Sequence, residues 1–294
     1  MTNFLDARAL WGSGHVANTV QIKTWAGGNN YADHSQYIDL APADLQSFIH
    51  GQNVLIGTHG FNVNRQDGIA TMQSWEKLLG LPAGTVFLGF LWPGDSEFFH
   101  ALSYPAEPKH ATAAGNLLAN FADDSFADAA SISFVSHSLG ARVVLQAIRQ
   151  MKLPVRRLIL MAGAINDDCL TAEFADVPAK VGTISVLASA EDEVLRWAFP
   201  LGDFVAEIID RDHPWWESAL GRSGPRSRPA NYRSPCQIPD GWNYGHGNYL
   251  QTDPPAPAPI PPPTDVPEDG PPPLGGVPGW QEAWSAAFTS TRFQ

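Results

Sequence analysis

Short apolar runs alternate with amphipathic stretches through most of this chain. Apolar residues three and four positions apart predict helices over GIATMQSWEKLLG, HATAAGNLLANFADD and GARVVLQAIRQM. The runs between them predict strands, and the central ones are apolar throughout, which is typical of strands covered on both faces. The predicted strands are TVQIKTWA, QYIDLA, NVLIGTHG, VFLGFLWPG, ISFVSHS, RLILMAG and TISVLAS. This alternation predicts an α/β fold with a mostly parallel central sheet flanked by helices.

The pattern breaks near the C-terminus, where residues 254–280 contain twelve prolines. Such a run favours polyproline II and is read as a linker, as a ligand for a proline-binding module, or as a belt against the domain. After it, Trp280, Trp284 and Phe288 recur at helical spacing, which favours a short docking helix over a free tail. We therefore divide the chain into a domain over residues 1–252, a proline-rich segment over 253–279 and a short helix or tail over 280–294.

The net charge of the chain limits which classes of molecule it is expected to bind. The 294 residues carry 18 Lys and Arg against 30 Asp and Glu, a net charge of −12, which disfavours nucleic acid and anionic membrane surfaces. No apolar run is long enough to span a bilayer, and the opening MTNFLDARAL lacks the features of a signal peptide. We expect a soluble, cytoplasmic protein without integral membrane contact, and secretion without a cleavable leader stays open.

Two cysteines, Cys169 and Cys236, are too few and too far apart to indicate a disulfide framework or a metal site. We expect two unpaired thiols, with a single bridge as the alternative. The sequence predicts no metal and no cofactor.

Candidate chemistry is clearest in SISFVSHSLGARVVLQAI, residues 131–148, where a buried strand ends at Ser138 and a helix begins almost at once. Such a turn lifts a serine hydroxyl above the sheet edge and directs the helix N-terminus at an oxyanion. The turn needs small residues two before and two after the serine, and Ser136 and Gly140 meet that need. Ser138 is therefore the predicted nucleophile, and a serine that only caps the helix is the alternative.

The loop after the strand NVLIGTHG continues into His59, Gly60 and Phe61. In this position we expect the Phe61 amide to donate one hydrogen bond to an oxyanion, with the amide of Leu139 as the second donor. His59 is interpreted as a residue that fixes this loop.

The base must be a histidine that can reach Ser138. His137 is excluded, because adjacent side chains at a strand end point to opposite sides, and we assign it to packing or to a structural hydrogen bond. Two histidines follow the serine, His213 in DRDHPWWES and His246 in NYGHGNYL. His246, between two glycines in a late loop, is the preferred base and His213 is the alternative.

Besides the nucleophile and the base, the mechanism needs a carboxylate that orients the base. The strand TISVLAS runs directly into AEDEV, which places Asp192 just beyond a strand's carboxyl end. Asp167 and Asp168 follow the preceding strand and are the rival acids, whereas Glu191 and Glu193 are expected to be solvated.

These motifs together resemble the α/β-hydrolase superfamily of esterase and lipase type, and more narrowly a group of bacterial α/β hydrolases of unknown function. The resemblance extends from about Val54 to Tyr249 and includes LIGTHGFNV, FLWPGDS, SHSLGARVV, LILMAGAIND and SVLASAEDEVL. It implies the α/β-hydrolase fold and a cofactor-free mechanism with the triad Ser138, Asp192 and His246.

We therefore expect a serine hydrolase that acts on a small-molecule or lipid-like carboxylic ester through an acyl-enzyme. An acyltransferase with the same triad is one alternative, and a silent hydrolase-fold protein with a proline-rich interaction tail is another. Several aromatic residues are candidates to line an apolar acyl pocket, with ordinary packing as the alternative. These are Trp92, Phe98, Phe99, Trp215 and Trp216.

Overall fold

The computed structural model describes most of the chain up to residue 250. The described residues are 1–9, 15–94, 107–197, 218–233, 238, 240 and 244–250. The predicted proline-rich segment and C-terminal helix lie outside them, so the proposed division of the chain stays a prediction.

The described residues form one eight-stranded sheet in the order β3-β2-β1-β5-β4-β6-β7-β8. The strand β2 pairs antiparallel with both β1 and β3, and all other neighbours are parallel. This confirms the predicted mostly parallel sheet. The strands are β1 (Thr2–Arg8), β2 (Val16–Trp25), β3 (Tyr37–Asp39), β4 (Asn53–Thr58), β5 (Thr85–Leu91), β6 (Ser131–His137), β7 (Val155–Met161) and β8 (Val181–Leu187).

Helices cover both faces of this sheet. The helices are α1 (Pro42–Ile49), α2 (Arg65–Leu78), α3 (Glu107–Ser125), α4 (Gly140–Gln150), α5 (Glu193–Trp197) and α6 (Leu220–Ser223). Residues from α1, α3 and α4 share one core cluster, and residues from α2 belong to the second cluster. Within the described ranges, no helix combines the length and the apolar character needed to cross a lipid bilayer.

Alternate residues of a strand belong to different core clusters, one on each face of the sheet. In β4, Val54 and Ile56 belong to the cluster with α3 and α4, whereas Leu55 between them belongs to the cluster with α2. Successive side chains of a strand point to opposite faces, so a run that is apolar throughout is buried on both sides. The predicted interpretation of the central strands is therefore confirmed.

Four elements were not predicted: β1, α1, and the helices α5 and α6, which have five and four residues and are too short to show a helical period. In β1 the apolar run is interrupted by Asp6 and Arg8, which are nevertheless buried. Arg65, at the start of α2, forms an ion pair with Asp6 at 2.9 Å, and this pairing allows the charges to lie inside the protein. The partner is far away in sequence, so no local pattern could have predicted it. In α1 only Leu45 and Ile49 are buried, too few for a clear helical period.

Candidate active site

Ser138 lies on a sharp turn between β6 and α4. Its φ angle is 54°, in the left-handed region that a non-glycine residue rarely adopts. Its backbone N–H donates to the Met161 carbonyl at 3.0 Å, and its carbonyl accepts from the Ala164 amide at 3.1 Å. Both bonds tie the strained residue to the end of β7, and strain of this kind persists only where the surroundings determine it.

Ser138 meets an imidazole from a distant part of the chain. The Ser138 Oγ and the His246 Nε2 are 2.9 Å apart, although 108 positions separate them in sequence. Ser138 is largely buried, with 6% of its surface exposed. A hydroxyl in this arrangement can donate its proton to the imidazole nitrogen.

The other ring nitrogen of His246 faces a carboxylate. The His246 Nδ1 and the Asp192 Oδ2 are 2.8 Å apart. A carboxylate only accepts, so Nδ1 carries the proton and Nε2 presents a lone pair to Ser138. The second carboxylate oxygen, Oδ1, accepts the backbone N–H of Leu195 at 2.9 Å, and Asp192 is fully buried. The carboxylate is thus held at both oxygens.

The neighbouring acidic residues have other surroundings. Glu193 is exposed and pairs with Arg196 at 3.0 Å, and Glu191 is also exposed. The rival acid Asp167 pairs instead with Arg226 at 2.8 Å. His213, the rival base, lies outside the described residues. Of the candidate acids, Asp192 is the one that the structure brings to an imidazole.

The loop between β4 and α2 packs directly on the serine turn. A Cβ added at Gly60 would lie 2.7 Å from the Ser138 Cβ, so only a glycine permits this approach. Phe61 follows and is half-buried against the core cluster that α1, α3 and α4 share. On the other side of the serine, the Leu139 amide has no acceptor among the described residues. The predicted oxyanion donors therefore lie in the two segments that flank Ser138.

His59 fixes this loop. Its Nδ1 lies 2.9 Å from the Gly60 carbonyl, to which it donates, and its Nε2 accepts from the Trp92 amide at 3.4 Å. Burial, with a smaller contribution from the Arg8 charge, lowers the pKa of His59 to about 3. The ring is therefore neutral at pH 7, as these two bonds require, and the interpretation of His59 as a loop-fixing residue fits the structure.

The aromatic residues proposed for an acyl pocket are only partly described. Trp92 is fully buried, stacks on His59 at 5.8 Å between ring centroids and donates its indole N–H to the His59 carbonyl at 2.9 Å. It therefore belongs to the core beneath the loop, and it is left out of the substrate contacts proposed below. Phe98 and Trp215 lie outside the described residues, as do Phe99 and Trp216.

The structure contains a pocket that the sequence did not predict. About 630 Å³ of space opens between α2 and the segment 244–250. One face of α2 lines it, through Ala70, Thr71 and Ser74. The opposite side includes residues 60, 137 and 247, each adjacent in sequence to a candidate site residue. The volume is typical of small-molecule sites. Small and hydroxyl-bearing residues on a helix give no signal that distinguishes a pocket from a solvated face.

Within the described ranges, no cluster of three or more His, Cys, Asp or Glu side chains could hold a metal ion. Cys169 is an unpaired, buried thiol. Burial, reinforced by the Glu173 carboxylate, raises the pKa of Cys169 far above its ordinary value, so the thiol stays protonated. Cys236 lies outside the described residues.

The sheet, its order and the serine turn define an α/β hydrolase. The chain belongs to the family described as "Alpha/beta hydrolase of unknown function (DUF900)", whose profile matches residues 41–208, more than half of the chain. The matched range contains Ser138 and Asp192 and ends before His246. No curated protein matches the chain.

Several solved structures are similar to it at low identity. The catalytic core domain of acetyl xylan esterase from Trichoderma reesei is 16% identical over 47% of this chain and 84% of that one, with a TM-score of 0.34. Esterase PE8 is 19% identical over 54% of this chain and 80% of its own, with a TM-score of 0.34. Esterase B from Lactobacillus rhamnosis is 9% identical over 54% and 62%, with a TM-score of 0.31.

Proposed function

We propose that this protein is a serine hydrolase that cleaves carboxylic esters through an acyl-enzyme. The observation that carries the proposal is the continuous chain from the Ser138 Oγ through the His246 ring to Asp192, with contacts of 2.9 and 2.8 Å. A nucleophile bonded to a base, which is itself bonded to a buried carboxylate, is the arrangement that nucleophilic catalysis needs.

In the first half of the reaction, His246 removes the Ser138 proton as the oxygen attacks the ester carbonyl. The new C–O bond converts the carbonyl oxygen into an oxyanion, which the amides of Phe61 and Leu139 stabilise. Each such donor contributes about 3 to 4 kcal/mol to the transition state. The oxyanion then collapses, the bond to the alcohol oxygen breaks, and protonated His246 gives its proton to the departing alcohol.

In the second half, His246 takes a proton from water as the water oxygen attacks the acyl-enzyme. The bond to Ser138 breaks, the serine recovers its proton, and a carboxylic acid leaves. Asp192 stays ionised and stabilises the imidazolium that forms twice per cycle. Esters are the proposed substrates because an alcohol leaves with less assistance than an amine. We assign the pocket beside α2 to a substituent of the ester.

The test is turnover of p-nitrophenyl esters of graded acyl length, with a fluorophosphonate label that reports access to the hydroxyl. We expect the wild-type protein to react in both assays and the Ser138→Ala variant in neither. Ser133→Ala, the same chemical change within the preceding strand β6, is the matched control and should behave as wild type. An unlabelled, inactive wild type would instead favour the silent scaffold, and transfer to an added alcohol in preference to water would favour the acyltransferase.

A further inference from the structure

His137 makes a contact that the reaction described above does not use. Its Nε2 lies 2.7 Å from the backbone carbonyl of His246, so the imidazole donates a hydrogen bond to the peptide of the candidate base. The two rings are neighbours, with centroids 4.9 Å apart, and the His137 ring also lies 6.0 Å from that of Tyr249. One side chain therefore touches the segment that carries the base at several points.

The segment 244–250 is irregular and needs such support. Its own turn is held by the Asn248 side chain, which accepts the Gly245 amide at 2.6 Å, and by the Asn248 amide, which donates to the Gly245 carbonyl at 3.1 Å. The buried side chains of Tyr244, Tyr249 and Leu250 fix where the segment sits. Apolar packing has no direction, whereas a hydrogen bond to the carbonyl of His246 fixes the rotation of that residue's own peptide.

His137 is well placed to provide that direction. It is the last residue of β6 and pairs in the sheet with Met161 of β7, so its backbone is held in the parallel ladder. Ser138 follows at once on the strained turn. The same strand end therefore carries the nucleophile on one residue and the support of the base on the residue before it. Neighbouring side chains at a strand end point in different directions. The His137 side chain can therefore contact the backbone carbonyl of His246 while the Ser138 hydroxyl contacts the His246 ring.

We propose that His137 is a positioning residue, which holds the His246 peptide so that the imidazole stays in line between Ser138 and Asp192. This inference rests on the proposed function. A catalytic imidazole must be held within about 0.5 Å of its productive position. His137 lies next to Ser138 in the chain, so it fixes the position of His246 directly relative to the nucleophile. His137 exchanges no proton in the cycle and acts on the reaction through the peptide of His246.

The charge state of His137 suits this role. Its partly buried ring loses hydration, and this, together with the nearby His246, lowers the pKa of His137 to about 4. The ring is therefore neutral at pH 7, with its proton on Nε2 because that nitrogen faces a carbonyl. A neutral donor can remain beside His246 when the latter becomes an imidazolium, whereas a permanent cation such as lysine would repel it.

The experiment compares two replacements of similar size in the full chain. His137→Gln retains an N–H donor at about the same reach, and His137→Met retains the length without the donor. In the ester assay we expect His137→Met to lose about 100-fold in kcat with little change in KM, as a misplaced catalytic group does. His137→Gln should recover most of that loss, although both variants disturb packing and should lower the melting temperature similarly.

A second readout does not depend on turnover. The proton on His246 Nδ1, held by Asp192, gives a downfield resonance in proton NMR. We expect that resonance in the wild type and in His137→Gln, and its loss or broadening in His137→Met. If it is unchanged in His137→Met, or is lost equally in both variants, the positioning role is wrong. If the resonances behave as expected while the wild type turns over no ester, the positioning role stands and the proposed reaction fails.

Discussion

Gly140 and the carbonyl oxygen of His59 approach each other so closely that no side chain fits between them. A Cβ added at Gly140 would lie 2.5 Å from that oxygen and 2.8 Å from the carbonyl oxygen of Thr58. Both neighbours are backbone atoms and cannot rotate away. The first residue of α4 thus packs on the end of β4, and this contact joins the serine turn to the loop that carries Phe61.

We expect Gly140→Ala to separate these two segments. The overpacked contact should lower the free energy of unfolding by about 1 to 3 kcal/mol and, by moving Phe61 relative to Leu139, should reduce kcat. Denaturant unfolding and ester turnover measure the two effects. Gly163→Ala is the control, because its Cβ would meet its nearest neighbour at an ordinary 3.5 Å. Equal stability and activity of the two variants would mean that the close approach does not constrain the site.

The acid of the candidate triad can be tested by an isosteric change. Asp192→Asn keeps the size of the side chain but offers an amide where His246 Nδ1 needs an acceptor, so the ring can adopt the wrong tautomer. We expect kcat to fall by about 10⁴-fold with a small change in KM. Asp167→Asn, which keeps the size of the side chain and weakens its pair with the half-exposed Arg226, should keep near-normal turnover. A large loss in Asp167→Asn with Asp192→Asn active would reverse the assignment.

The base has a parallel test. His246→Ala should abolish turnover, because no other described imidazole contacts the Ser138 hydroxyl. His213→Ala should leave turnover near that of the wild type. The opposite result in ester kinetics would show that the base comes from the segment around His213.

The strand and helix periods were sufficient to predict the central sheet and the serine turn. Val54 to Ile56 are apolar on both faces, and this pattern is local, so it can be recognised without the fold. The three side chains of the candidate triad could also be proposed, because each follows a predicted strand or lies in a late loop. Their catalytic roles remain a proposal.

What the sequence could not predict depends on contacts between distant residues. The strand β1 is hidden by Asp6, whose partner Arg65 lies 59 positions away. A structural hydrogen bond was one of the two roles predicted for His137, but its acceptor, the backbone carbonyl of His246, lies 109 positions away and leaves no trace in residue type. The pocket beside α2 exists because that helix and the segment 244–250 are separated in space, and the pattern of residues along the chain does not encode this separation.

The neutral, buried His59 predicts a loss of stability in acid. Its folded pKa is about 3, whereas in an unfolded chain a histidine titrates near 6.5. Between these values the unfolded state binds a proton that the folded state excludes, so the free energy of unfolding falls as the pH falls. The contribution is about 1.4 kcal/mol per pH unit, and His137 adds to it down to its own pKa of about 4.

Urea unfolding between pH 7 and pH 4 measures this slope. His59→Asn retains a donor for the Gly60 carbonyl but cannot titrate, so it should be less stable than the wild type at pH 7 and show a shallower slope. A slope in His59→Asn as steep as that of the wild type would contradict the assignment of a buried, neutral ring.

The pocket beside α2 makes a prediction about substrate size. Thr71 and Ser74 are half-buried and line the pocket, so a larger side chain at Ser74 would extend into the 630 Å³ of open space. If a substituent of the ester occupies that space, Ser74→Phe should raise KM for esters with long acyl chains more than for the acetyl ester. Each methylene that no longer fits should cost about 0.8 kcal/mol of binding, or about fourfold in kcat/KM.

The control is the same substitution on the solvent face of the same helix. Lys77 is exposed, so Lys77→Phe adds the same apolar side chain without entering the pocket and should leave the chain-length profile as in the wild type. The ratio of kcat/KM between long and short esters is the decisive quantity, because any general loss of folded enzyme cancels in it. If Ser74→Phe gives the same ratio as Lys77→Phe, the acyl chain lies elsewhere, and the pocket must hold the alcohol portion or no part of the substrate. Varying the alcohol at constant acyl length then distinguishes these two outcomes.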